Sequence, residues 1–267
     1  MSRLATRFEQ LKSQQRKALV SYVMAGDPHP QVTVPLLHQM VEAGVDVIEL
    51  GLPFSDPMAD GPVIALAAER ALAGGTNTLN ALDMVKAFRE TDQTTPVVLM
   101  GYLNPVEVIG YEKFVAYAKD CGVDGVLLVD LPPEASQQLG EVLKQNGMDQ
   151  IFLLAPTSTD QRIQHVVNQA SGFVYYVSLK GVTGAATLDT AEAAARIAKI
   201  KSKTSVPVGV GFGISDAASA KAMGQVADAV IVGSAFVKSF ATLPAEEAVQ
   251  QTVNKVKELR AALDELV

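Results

Sequence analysis

The chain has 267 residues, of which 48% are hydrophobic and 19% charged, with a formal net charge of −7. A large core can form, which excludes global disorder, and the acidic balance without a basic block argues against nucleic acid as a partner. One α/β domain of this size is allowed, because barrels of this class fill about 200–250 residues as a single unit.

Residues 1–17 are polar and amphipathic, with Leu4, Phe8 and Leu11 at helical spacing and no apolar signal-peptide region. No window approaches the ~18 apolar residues of a membrane-spanning helix. Cys121 is the only cysteine, so no intrachain disulfide can form and a reducing compartment fits. The expectation is a soluble, cytoplasmic protein with no membrane partner.

Apolar runs follow at 18–24, 45–50, 96–100, 123–129, 150–154, 173–177, 206–210 and 229–232. They are mostly continuous and rich in β-branched residues, as buried parallel strands are. Amphipathic helical patterns such as 32–43 and 191–201 lie between them. Repeated strand-helix alternation predicts α/β architecture: a (β/α)8 TIM barrel with an additional N-terminal helix, in one domain over 1–267. A doubly wound open sheet would have to explain why "MAGDPHP", and no Gly-x-Gly-x-x-Gly turn, follows the first strand.

The second run ends in "VDVIELGLPFSDPMADGPVI" (45–64). Glu49 stands near the end of that strand, where an ionised side chain is costly unless paired or used. Asp60 lies in the loop that follows. Strand C-termini and their loops form the active site of barrel enzymes, and two acids in different environments can take different protonation roles. A paired core carboxylate would also account for Glu49, and turn formation beside Pro and Gly for Asp56 and Asp60.

Two later segments point to an anion. "VGVGFGISD" sets Gly211 and Gly213 after the seventh strand, with Ser215 placed to cap the next helix, and "VIVGSAF" sets Gly233 and Ser234 after the eighth. Glycines let backbone N–H groups approach an anion, a helix start adds favourable partial charge, and barrels bind phosphate with these two loops. Each segment alone is also an ordinary turn. "YYVSLKGVTGAATLD" (175–189) reads either as a small-residue lid or as a plain βα connection. Its Lys180 could form a Schiff base in an aldolase, or simply be solvated. His29, His38 and His165 are scattered without metal-ligand spacing, so no metal is expected.

Taken together, "ELGLPFSDPMADGPVI" (49–64), "GYLNPVEVIGYEKF" (101–114), "DLPPE" (130–134), "YYVSLKGVTG" (175–184), "VGFGIS" (210–215) and "VGSAFVK" (232–238) resemble the tryptophan synthase alpha-subunit family over essentially the whole chain. The resemblance implies a barrel lyase that cleaves indole-3-glycerol phosphate to indole and glyceraldehyde 3-phosphate by a retro-aldol reaction. It implies catalytic roles for Glu49 and Asp60, and substrate contacts from Tyr175, Thr183, Gly184, Phe212, Gly213, Gly233 and Ser234. It sets Tyr22 and Met100 in an indole pocket. Ala65 and Ala186 depart from the family pattern, where Gln and Arg are frequent. A beta subunit is the implied partner, in an α2β2 heterotetramer, facing Asp56, Pro57, Asn104 and Pro105. Pyridoxal phosphate would belong to that partner, with no cofactor in this chain. A Schiff-base aldolase using Lys180 and a non-catalytic barrel that activates a partner are the competing readings.

Overall fold

The computed structural model describes residues 2–177, 190–211 and 213–267. Nine strands are present among them: β1 (Ala18–Met24), β2 (Val47–Gly51), β3 (Val97–Gly101), β4 (Gly125–Leu128), β5 (Asp149–Gln150), β6 (Phe152–Leu154), β7 (Val174–Val177), β8 (Val208–Gly211) and β9 (Ala229–Val232). Every paired neighbour runs parallel, as helical crossovers between successive strands require.

The sheet order is β5-β4-β3-β2-β1-β9-β8-β7-β6, so its two ends, β5 and β6, are consecutive in the chain. Only Ile151 separates them. The predicted strand at 150–154 is thus one barrel stave in two pieces. Its first half pairs with β4 and its second half with β7. Ile151 N–H still donates to the Val126 carbonyl at 3.0 Å, so the ring of staves closes there. The (β/α)8 barrel expected from the alternation is the fold observed.

Side chains alternate across each strand, and two apolar layers follow from that. Ile48 and Leu50 face outward and pack with helix residues such as Leu36, Leu37 and Met40. Val20, Val47, Val98, Leu127 and Phe173 fill the barrel interior. The N-terminal helix Arg3–Ser13 inserts Leu4, Phe8 and Leu11 into that same interior cluster. It plugs the barrel at the N-terminal ends of the strands, with Phe8 and Phe173 ring centroids 6.0 Å apart. Ser2 fixes the helix start: its hydroxyl accepts the Ala5 N–H at 3.2 Å and donates to Asp149 at 2.7 Å. The barrel interior is therefore filled from below, and it opens at the C-terminal ends of the strands.

Candidate active site

The inward positions one step beyond the filled layer form the walls of a cavity of about 310 Å³. Two residues past Val20 comes Tyr22, and two past Val47 comes Glu49. Met100 follows Val98, Val129 follows Leu127, and Tyr175 follows Phe173 by the same period. All five line the cavity, with Leu153 and Ile231. The loop after β2 adds Asp60, and the turns after β8 and β9 add Gly213, Gly233 and Ser234. One cavity thus gathers every described residue expected to be catalytic or substrate-binding. Thr183, Gly184 and Phe212 lie outside the described residues, as do Lys180 and Ala186.

Glu49 is 1% exposed. Among the described residues neither of its carboxylate oxygens has a hydrogen-bond partner. Burial alone pushes its pKa from 4.5 up to about 8, because an ionised carboxylate in an apolar wall is uncompensated. Three residues earlier on the same run, Asp46 is also buried, and the contrast is instructive. Its carboxylate accepts the Leu19 N–H and an Arg260 N–H, both at 2.9 Å. The paired core carboxylate is Asp46. Glu49 is the one left neutral and facing open space.

Asp60 is half-buried on the loop, and its carboxyl is also pushed upward by burial, opposed by a hydrogen bond from Tyr102. Turns shape the loop through backbone bonds: Met58 N–H to the Asp56 carbonyl at 2.9 Å, and Asp60 N–H to the Pro57 carbonyl at 3.0 Å. The Asp60 side chain is therefore free of turn duty.

Tyr22 and Tyr175 flank Glu49, and each lies across a glycine of a neighbouring strand. A Cβ at Gly51 would sit 2.3 Å from the Tyr22 hydroxyl oxygen, and one at Gly211 would sit 2.3 Å from that of Tyr175. Burial first, and then the nearby carboxylates, push both phenols up, so their hydroxyls stay protonated. Gly211→Ala is expected to force the Tyr175 ring off its position. Overpacking of this kind costs about 1–3 kcal/mol, so the urea midpoint should fall. An unchanged midpoint would mean that Tyr175 moves without cost.

After β8, Gly213 has φ +76°, a left-handed conformation suited to glycine. The helix that follows, Ala217–Gly224, is capped by Asp216, whose side chain accepts the Ser219 N–H at 2.8 Å. The cap is thus one residue later than Ser215, because Asp216 completes a reciprocal capping box with Ser219. Ser215 is left exposed. After β9, Gly233 precedes the short helix Ser234–Val237. The first-turn N–H groups of Ser234 and Ala235 have no intrahelical carbonyl to bond, and Ser234 opens on the cavity.

Asp56, Pro57, Asn104 and Pro105 stand outside the cavity, on the loop after β2 and the helix Leu103–Ile109 after β3. Asp56 and Asn104 are exposed, and the two prolines half-buried. Of the histidines, His38 stacks on Phe88 at 4.6 Å and His165 pairs with Glu134 at 3.0 Å.

A family model described as tryptophan synthase alpha chain matches residues 8–267. The chain belongs to the tryptophan synthase alpha chain family. The tryptophan synthase alpha chain of Acinetobacter baumannii (strain ATCC 17978) is 88% identical over 267 residues and is covered in full, as is this chain. That of Acinetobacter baylyi is 86% identical over the same length, again with both chains covered in full. The solved structure of tryptophan synthase subunit alpha from Legionella pneumophila str. Paris superposes with a TM-score of 0.91 at 41% identity, covering 99% of each chain. A tryptophan synthase alpha chain is an enzyme subunit. Among the described residues no helix is long and apolar enough to cross a membrane.

Sequence reasoning named the two acids but passed over several cavity residues. Val129 and Leu153 were hidden in runs that read as continuously apolar, and Ile64 in the helix Pro62–Ala73 after the Asp60 loop. Counting by twos from Leu127 and Ile151 would have found the two strand positions. Tyr102, directly after "VVLMG", was a second signal available in the sequence.

Proposed function

We propose that this alpha chain cleaves indole-3-glycerol phosphate to indole and glyceraldehyde 3-phosphate, acting as a single 1–267 domain in the cytoplasm. The observation that carries the reading is Glu49: a buried carboxyl without a partner among the described residues, its pKa pushed up to about 8, in the wall of a largely apolar cavity that also takes Asp60.

The chemistry requires a group of that kind. The bond from indole C3 to the glycerol chain breaks only if the ring can accept the electron pair. Protonation at C3 makes the ring an iminium-like sink. Neutral Glu49 delivers that proton. As the carbon-carbon bond breaks, its electrons restore the aromatic ring, and the adjacent hydroxyl becomes the aldehyde. Glu49, now a carboxylate, takes the hydroxyl proton and is ready again. Asp60, ionised and near the ring nitrogen, stabilises the positive charge that develops there. Tyr22 and Met100 form the slot for indole, and Tyr175 stands beside the reacting centre. Thr183 and Gly184 are the proposed lid positions, and Phe212 a further contact. Backbone N–H groups around Gly213, Gly233 and Ser234 receive the phosphate, and this remote binding positions the scissile bond.

The partner is a beta subunit, in an α2β2 assembly, and pyridoxal phosphate belongs to that subunit. Asp56, Pro57, Asn104 and Pro105 face it. Beside them Met58 is 82% and Val108 81% exposed, and large exposed apolar side chains on one rim favour a docking face.

The test is product analysis after incubation with indole-3-glycerol phosphate, with and without a beta subunit. Indole release that rises on adding the partner supports the reading; no release in either condition ends it. Borohydride trapping with a ketose phosphate should leave the chain unmodified, and covalent capture at Lys180 would favour the Schiff-base aldolase. The phosphate site has its own check in Gly213→Val. Valine is β-branched and strained at φ +76°, so KM should rise while Glu49 and Asp60 stay in place. Glycerol phosphate should then protect the variant less than the wild type against thermal unfolding. Equal protection would mean that phosphate binds elsewhere.

A further inference from the structure

We infer that Tyr102 is a positioning residue for Asp60: its hydroxyl, held on the barrel wall, ties the loop carboxylate into the cavity. Tyr102 directly follows β3, so its backbone is set by a rigid stave. Its side chain is 3% exposed, and its ring packs against Phe54 at 5.4 Å with a 32° tilt. The ring is thereby fixed between the barrel and the loop that carries Asp60.

The hydroxyl accepts the Ala59 N–H at 3.0 Å. A phenol has one proton to donate, and Asp60, the next residue on the loop, lines the same small pocket as Tyr102, where each group acts on the other. The hydroxyl thus holds the loop backbone to the stave immediately beside the loop acid. Asp60 has no other described support for its charge. The titratable groups around it are Tyr22 on β1, Glu49 on β2 and Tyr102 after β3. Asp130 lies beyond Tyr102, and Asp27 behind Tyr22. Among the described residues the one cation near this group, Arg70, is committed to Asp27 at 2.7 Å; the rest are acids or phenols. Burial pushes the Asp60 carboxyl up, and the Tyr102 hydrogen bond is the influence that opposes it. A residue that both aims the carboxylate and favours its ionised form is what charge stabilisation at a ring nitrogen needs.

The kinetic consequence rests on the proposed cleavage reaction; the effect on Asp60 itself does not. Tyr102→Phe keeps the ring and its contact with Phe54 and removes only the hydroxyl. The expected result is a fall in kcat of about tenfold or more, with KM within about twofold. The low-pH limb of the kcat profile should move upward by about one pH unit, since a hydrogen bond to a charged group is lost. The alkaline limb, set by Glu49, should stay in place. In parallel, the Asp60 carboxyl is titrated by 13C NMR in the ligand-free chain, where its midpoint should rise in the variant. If Tyr102→Phe does not fold, 3-fluorotyrosine at position 102 keeps the shape and makes the phenol a stronger donor, so the Asp60 midpoint should fall. An Asp60 midpoint that is unmoved in the folded variant overturns the inference, as does wild-type kcat with an unmoved acid limb. A wild type that releases no indole, together with a shifted Asp60 midpoint in the variant, would instead overturn the proposed reaction and leave the positioning role standing.

Discussion

Glu49→Gln is expected to lower indole release by about 10²–10⁴-fold, the range for loss of a general acid–base group. Glutamine is nearly isosteric with the neutral glutamic acid that burial favours here, so the cavity should keep its shape and KM should change little. What disappears is the ability to give a proton to a ring carbon and take one from a hydroxyl. Asp60 cannot substitute, because it reaches the cavity from the loop side and Tyr102 favours its ionised form. The same carboxyl sets the pH profile of the wild type. Glu49 must begin protonated, so kcat should decline as pH rises through about 8. Single-turnover indole release across this range measures both effects. Near-normal cleavage by Glu49→Gln would remove Glu49 from the mechanism. An alkaline limb retained in a weakly active variant would assign the limb to another group.

The parts of this molecule that were legible in its sequence are those governed by local pattern. β-branched runs separated by helical patterns specify parallel staves, and the count of eight specified closure. The predicted bounds at 18–24 and 229–232 are those observed for β1 and β9. One stave breaks, at Ile151, and the division of its pairing is something that no local pattern carries. Its first half pairs with β4 and its second half with β7, whereas β1 serves both of its neighbours without a break. Glu49 was legible because an acid at the end of an apolar strand is anomalous by itself. Its lack of a partner among the described residues was not legible, because Asp46, three residues away, has an equally anomalous sequence context and is paired with Arg260 from the far end of the chain. Contacts between residues 214 positions apart decide which acid is structural and which is free. Tyr102 escaped for a related reason: its value lies in the loop residues 59 and 60 that fold back onto it.

The free state of Glu49 also has a thermodynamic consequence, and Glu49→Gln should reveal it as a gain in stability. Unfolded, the Glu49 carboxyl ionises at its ordinary value of 4.5; folded, it holds its proton until about 8. Below pH 4.5 both states are neutral and the residue contributes no penalty. Between 4.5 and 8 the unfolded chain binds fewer protons than the folded chain, so stability falls as pH rises. Above 8 both states are ionised and the full cost is present. The span from 4.5 to about 8 corresponds to about 5 kcal/mol, of which about 3 kcal/mol is already lost at pH 7. Glutamine does not titrate and escapes this loss. The variant and the wild type should therefore unfold at the same denaturant concentration near pH 4. They should diverge steadily above it, with the inactive variant the more stable, and the gap should level off beyond pH 8. Urea unfolding of both proteins from pH 4 to 9 provides the measurement. Parallel curves over that range would mean that Glu49 gains a partner or water that keeps its carboxylate solvated, and the general-acid role would lose its physical basis. Divergence in the expected direction would tie the two properties of the residue together: the burial that keeps Glu49 protonated for C3 is the same burial that costs the fold stability at neutral pH.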